Sequence, residues 1–87
     1  MIYELEIKKH FSALYQWELV RFPNQIGDGC ATDLDAVLLA PVRRGHVQAS
    51  DKLAITVGGV AVGIYPAPAG DNDAAQIARD IAAILSF

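Results

Sequence analysis

Two stretches near the start of the chain alternate between apolar and polar side chains. In residues 2–9 (IYELEIKK), Tyr3, Leu5 and Ile7 share one face, and residues 14–22 (LYQWELVRF) alternate in the same way. A period of two is typical of a β-strand with one buried face and one solvent-facing face. Because the linker between the two stretches is short, the pattern predicts an antiparallel hairpin.

A second hairpin is predicted around Gly58-Gly59. This dipeptide separates two apolar runs, 53–57 (LAITV) and 60–65 (VAVGIY). Both central residues of a type I′ turn need a positive φ, which glycine adopts without a steric penalty. Since both runs are apolar throughout, we expect this hairpin to belong to the core, with its strands covered on both faces or central in the sheet.

One helix is predicted after each hairpin. Before the first helix, residues 24–29 (NQIGDG) are typical of turns. Thr32 is the expected N-cap, and the helix is expected to end before Pro41, which disfavours helical geometry in the residue ahead of it. The second helix is predicted over residues 73–86, with Asp71 as its N-cap and an apolar stripe at helical spacing.

This order of elements, ββαββα, predicts the α+β class. The expected architecture is a two-layer sandwich, in which two helices cover one face of a four-stranded antiparallel sheet. The chain of 87 residues is expected to form a single small globular domain over residues 1–87. Apolar residues make up 53 % of it, which favours apolar surface being left for a partner or a second copy.

Charge and cysteine content exclude several classes of function. The net charge of −3 disfavours direct nucleic-acid binding, which needs a basic surface. The single cysteine, Cys30, excludes an internal disulfide and a cysteine-based zinc cluster. No apolar run approaches the ~20 residues of a membrane span, and the first residues lack the apolar core of a signal peptide. A cytoplasmic protein without membrane contact is therefore expected.

No constellation of residues in the sequence is typical of catalysis. The glycines of the second hairpin are followed by a strand rather than a helix, which disfavours a phosphate-binding loop. The aspartates between residues 28 and 35 lack the order of a calcium loop. Cys30 is predicted just before a helix, as a small buried or half-buried thiol. The available bases are His10 and His46, and neither belongs to a recognisable local constellation in the sequence. The sequence therefore predicts no enzymatic activity, cofactor or metal.

The features that favour protein binding lie mainly on the first hairpin. Its polar face carries carboxylates, and Glu18 is expected to pair across the strands with a lysine. Two aromatic residues fall at the strand ends, and a loop further along the chain carries a small basic cluster of the kind enriched in interfaces. The candidate partner-binding residues are Glu4, Glu6, Phe11, Glu18, Phe22, Arg43 and Arg44.

These features predict a non-catalytic protein-binding module, with another protein as partner and with self-association into a homodimer as a further expectation. Short free-standing chains of this kind include phage and mobile-element inhibitors of host defence complexes, such as anti-CRISPR proteins. If the target binds nucleic acid, the carboxylates would meet its basic groove. Two alternatives remain open: a virion or assembly protein that joins subunits through a strand edge, and a small enzyme or ligand-binding domain.

Overall fold

A computed structural model of the protein describes residues 1–10 and 14–85. Within these ranges the chain forms five strands and two helices in the order βββαββα. This confirms the predicted α+β class with two helices. The elements are β1 (Ile2–His10), β2 (Leu14–Arg21), β3 (Asn24–Ala31), α1 (Leu34–Arg43), β4 (Lys52–Val57), β5 (Val60–Pro66) and α2 (Asp71–Leu85).

The five strands form one mixed sheet in the order β3-β2-β1-β4-β5. β1 pairs with β4 in parallel, and the other neighbours are antiparallel. The prediction of four antiparallel strands was therefore wrong in strand number and in the direction of one pair. The parallel pair arises because the chain crosses back through α1 before β4 begins beside β1, as a parallel connection requires.

The strand that the sequence did not predict is β3, which occupies the stretch expected to form turns. A Cβ atom at Gly29 would lie 2.9 Å from Trp17 Nε1, and one at Gly27 would lie 2.8 Å from His46 Nε2. These two glycines therefore permit large side chains to lie directly on the strand. The glycines are needed for close packing and not for a turn. For this reason the glycine-rich composition of residues 24–29 predicted a turn where the structure has a strand.

Helix α1 begins and ends later than predicted. Its N-cap is Asp33 rather than Thr32, because the Ala36 N–H donates to Asp33 Oδ1 at 2.8 Å. The helix also continues through Pro41 to Arg43. Pro41 lies in the last turn, where it removes one helical hydrogen bond. Its ring is fully buried and its carbonyl accepts the His46 N–H at 2.9 Å, and these contacts offset that loss.

Helix α2 confirms the predicted second helix up to Leu85, with one correction at its start. The predicted last residue, 86, lies outside the described residues. Asp71 is the first helical residue and not the N-cap, since the Ala74 N–H already donates to the Gly70 carbonyl at 3.1 Å. A carboxylate in the first turn is still favoured by the helix dipole. The buried stripe of α2 comprises Ala74, Ile77, Ala78 and Ile81.

The second hairpin has the predicted turn but not the predicted coverage. Gly58 and Gly59 have φ values of +58° and +84°, as the two-residue turn requires. β4 is central in the sheet, whereas β5 is an edge strand on which Val60 and Ile64 are 51 % and 60 % exposed. The core lies between one face of the sheet and the two helices, so the other face is uncovered. The most buried sheet residues are Leu5, Ile7, Trp17, Leu19, Leu53 and Ile55.

Candidate functional site

The uncovered face of the sheet, hereafter the open face, carries the side chains that alternate with the buried ones. On β1, for example, Leu5 and Ile7 are buried, while Glu4, Glu6 and Lys8 are exposed. Cross-strand pairing extends this division to the other strands. The open face comprises Ile2, Glu4, Glu6, Lys8, Gln16, Glu18, Val20, Asp28, Cys30, Lys52, Ala54, Thr56 and Ile64.

Three carboxylates stand side by side on this face, on the consecutive strands β1, β2 and β3. Glu6 on β1 lies directly opposite Glu18 on β2, and Glu18 lies directly opposite Asp28 on β3. We call Glu6, Glu18 and Asp28 the acidic row. Directly opposite residues have Cβ atoms roughly 4.5–5.5 Å apart, a distance at which like charges destabilise a sheet. The prediction that Glu18 pairs with a lysine was therefore wrong.

In the described part of the chain, Lys8 is a cation beside the acidic row, since it lines the same small depression as Glu6 and Glu18, but it forms no ion pair with either. Asp28 Oδ2 accepts a hydrogen bond from Gln25 Nε2 at 3.2 Å. The side chains of Glu6 and Glu18 form no hydrogen bond or ion pair with any residue in the described part of the chain. Both carboxylates can therefore pair with cationic groups of a binding partner. In the free protein, their mutual repulsion destabilises the sheet.

The surface around the acidic row is too shallow for a small molecule. One depression of about 30 Å³ lies among Glu6, Lys8, Gln16 and Glu18, and it would hold about one water molecule. A second, of about 220 Å³, lies between β1 and β4 beside Thr56. Pockets for small ligands are usually larger, roughly 300–1,000 Å³, and are lined by apolar groups. The open face is better suited to a macromolecule.

The chain concentrates one residue type on this face. Glu4, Glu6 and Glu18 are its only glutamates, and all three belong to the open face. Sequence reasoning selected these three from the alternation of β1 and β2. It missed Asp28, because the position of that residue beside Glu18 depends on β3 being a strand. The alternation of Ile26, Asp28 and Cys30 with glycine and alanine was the signal available in the sequence.

The two aromatic candidates lie apart from the acidic row. Phe22 follows the end of β2 in the turn before β3, where its side chain is 87 % exposed. Its peptide bond to Pro23 is cis. Phe11 lies outside the described residues. Phe22 is therefore an exposed apolar group at one end of the hairpin, at the rim where the sequence placed it.

The two arginine candidates belong to the helical side of the molecule and do not join the glutamates. Arg43 Nη2 lies 2.9 Å from Asp71 Oδ1, an exposed ion pair between α1 and α2. The Arg44 guanidinium lies over the Trp17 ring, 5.1 Å from its centroid, and Arg44 Nη1 donates to the Asp28 carbonyl at 2.7 Å. Each arginine thus has its own structural contact, and the two do not form a shared anion site.

The candidates for metal or nucleophilic chemistry are also dispersed. Cys30 is an exposed residue of β3 opposite Gln16, so the prediction of a buried or half-buried thiol just before a helix was wrong. His10 Nε2 lies 2.8 Å from Gln16 Oε1, whereas His46 lies against Gly27. Over residues 1–10 and 14–85, no three His, Cys, Asp or Glu side chains are grouped to hold a metal ion.

Comparison with known proteins does not assign a family. The chain matches no protein-family model, and no curated protein or solved structure resembles it significantly. Neither α1 nor α2, the helices of the described ranges, is long and apolar enough to cross a membrane. A functional assignment therefore depends on the surface chemistry of the open face.

Proposed function

We propose that this protein is a non-catalytic binding module whose open face binds a basic surface on another protein. The observation that supports this is the acidic row, three adjacent carboxylates on an uncovered face of the sheet. Lysine and arginine side chains of a partner would form charge-assisted hydrogen bonds with these carboxylates. Such complementarity contributes mainly to specificity and to the rate of association.

The arrangement favours a protein partner over a metal ion or a nucleic acid. A nucleic-acid backbone would be repelled by these carboxylates. A single cation would need ligands that converge on one point, whereas the acidic row is spread across three strands. A basic protein surface presents several cations at spacings comparable to those between strands, which are roughly 4.7–4.9 Å.

Binding to a basic surface would also reduce the electrostatic repulsion among the three carboxylates of the acidic row. Glu18 has a carboxylate on each side, and every neutralised member of the row removes some of that repulsion. Beside the row, Ala54 and Ile64 supply apolar surface on the same face. The open face therefore combines a charged part and an apolar part, as protein interfaces commonly do.

A basic groove that normally holds nucleic acid is the partner surface that matches this chemistry best. A small inhibitor that occupies such a groove in a host defence complex, as the sequence predicts, would act by excluding the nucleic acid. The alternative of an assembly protein is favoured by a different feature, the uncovered edge of β5.

The test uses two double variants that remove the same number of negative charges. Glu6→Gln/Glu18→Gln alters the acidic row, whereas Asp71→Asn/Asp80→Asn alters exposed positions on α2. The wild-type protein is first immobilised to capture partners from the source cells, and each identified partner is purified. Its affinity for the three proteins is then measured by titration calorimetry, with and without its nucleic acid.

We expect the row variant to bind at least about tenfold more weakly, which corresponds to roughly 1.4 kcal/mol. The α2 variant should bind like the wild type, nucleic acid should compete, and added salt should weaken binding. Equal affinity of the row variant and the wild type would refute the proposal. So would a partner whose contact surface is not basic.

A further inference from the structure

The edge strand β5 lies in an unusually uncharged part of the chain. No charged residue occurs between residues 53 and 70, although the chain as a whole has a net charge of −3. Val60 and Ile64 on this strand are more than half exposed. Natural edge strands are commonly protected from pairing by charged side chains, and β5 has none.

The backbone N–H and C=O groups of Ile64 on β5 point away from β4, toward the open edge of the sheet. On β4, the Lys52 N–H donates to Met1 and the Gly58 N–H donates to Ile7, so the even-numbered residues of β4 turn their backbone groups toward β1. The odd-numbered residues of β4 therefore bond to β5, where Gly63 and Tyr65 are their partners. Since these groups alternate along a strand, the N–H and C=O of Ile64 point outward.

The opposite edge of the sheet is built differently. β3 carries the charged Asp28, and the Arg44 side chain donates to the Asp28 backbone carbonyl at 2.7 Å. Its pairing with β2 is interrupted by a bulge next to Val20. Charges, bulges and capped carbonyls all discourage the addition of another strand. The two edges thus differ in whether they can accept a partner.

We infer that β5 pairs with β5 of a second copy of this chain, antiparallel and centred on Ile64. In this arrangement the Ile64 N–H donates to the C=O of the partner's Ile64, and the reverse bond forms by symmetry. The two Ile64 side chains meet on the open face. Two sheets of five strands become one sheet of ten.

A second copy fits this edge better than a charged peptide does. Because residues 53–70 carry no charge, two β5 strands meet without repulsion between their own side chains, and the strand itself offers a charged peptide no ion-pair partner. A two-fold contact uses the same patch on both copies and closes after two chains. Both outer edges of the dimer are then the protected β3, so the sheet does not continue into a fibre.

The local geometry limits the contact to a short segment. A bulge at Val62 interrupts the ladder on one side of Ile64, and Pro66 lacks an N–H on the other. A groove of about 300 Å³ between β5 and α2 lies beside this segment, lined by Tyr65 of β5 and by Ile77, Asp73 and Asp80 of α2.

The oligomeric state of a matched pair of variants tests the inference. Ile64→Lys places two lysines at the two-fold axis, whereas Ile84→Lys makes the same exchange on α2 at a residue that is 54 % exposed. Sedimentation velocity should show wild type and Ile84→Lys at twice the chain mass of 9.3 kDa. Ile64→Lys should sediment as a monomer or dimerise at least about tenfold more weakly. A monomeric wild type, or a dimer unaffected by Ile64→Lys, would overturn the inference.

Disulfide trapping gives a second measurement that does not depend on a disruptive variant. Cys30 is first replaced by serine, since it is the only cysteine and is exposed. Ile64→Cys in this background should form a disulfide-linked dimer on mild oxidation, whereas Ile84→Cys should form no disulfide link between the two copies. Failure of Ile64→Cys to cross-link, or equal cross-linking of both variants, would contradict pairing centred on Ile64.

Discussion

Replacing Glu18 by glutamine should make the isolated protein more stable. Glu18 is the middle member of the acidic row, with Glu6 directly opposite on one side and Asp28 on the other. Two unit charges ~5 Å apart repel by about 0.8 kcal/mol in water. Flexible side chains lower that value, so removal of both repulsions should raise the free energy of unfolding by about 0.5–1 kcal/mol at low ionic strength.

The matched control is Glu4→Gln, which makes the same chemical change on the same face. Glu4 lies opposite Val20 and Ala54, so it has no directly opposite carboxylate. Urea unfolding of both variants and the wild type, at low and at ~1 M salt, provides the comparison, since the Debye length falls to ~3 Å at the higher value. Glu18→Gln should raise the free energy of unfolding more than Glu4→Gln does, and this increase should largely disappear in high salt. A loss of stability at low salt, or identical effects of the two variants, would refute the reasoning.

Three further changes test the fold by chemical denaturation. Gly29→Ala should destabilise the protein by about 1–3 kcal/mol, because its Cβ would lie 2.9 Å from the buried ring of Trp17; an unchanged midpoint would contradict that packing. Gly58→Ala should cost about 1–2 kcal/mol, since φ is +58° there. Arg43→Ala should change stability by less than about 1 kcal/mol, because its pair with Asp71 is exposed; a larger loss would show a role beyond this ion pair.

The parts of the fold that could be predicted from sequence are those with a local periodic pattern. The alternation in β1 and β2, the two glycines between β4 and β5, and the apolar stripe of α2 each depend on neighbouring residues only. The structure confirms these elements with small shifts at their ends. A local pattern of apolar and polar residues is sufficient to predict an element that has one buried face and one exposed face.

The parts that could not be predicted depend on contacts between distant residues. The composition of residues 24–29 predicts a turn rather than β3, because the glycines are explained only by contacts with Trp17 and His46, which lie elsewhere in the sequence. Pro41 was expected to end α1, but burial of its ring and the bonds to its carbonyl offset the lost hydrogen bond. The parallel pairing of β1 with β4 has no local signal at all.

The same division applies to the candidate site. Glu4, Glu6 and Glu18 were selected correctly as residues of one polar face, because alternation places them there. Their arrangement as part of a row that includes Asp28 required the register between β2 and β3. Arg44 was grouped with them as a surface candidate, whereas the structure uses it to pack on Trp17.

Photo-crosslinking from Cys30 tests the central claim, binding through the open face, most directly. This exposed residue is the only cysteine, and it lies on the open face in the strand that carries Asp28. A thiol-reactive photo-crosslinker is attached there, and a control carries it at Arg79→Cys on α2 in a Cys30→Ser background. In a lysate of the source cells, irradiation should link the Cys30 probe to a protein segment rich in lysine and arginine, and the α2 probe should give no such product. Cross-linking from α2 alone, or from Cys30 only to segments without basic residues, would contradict the account.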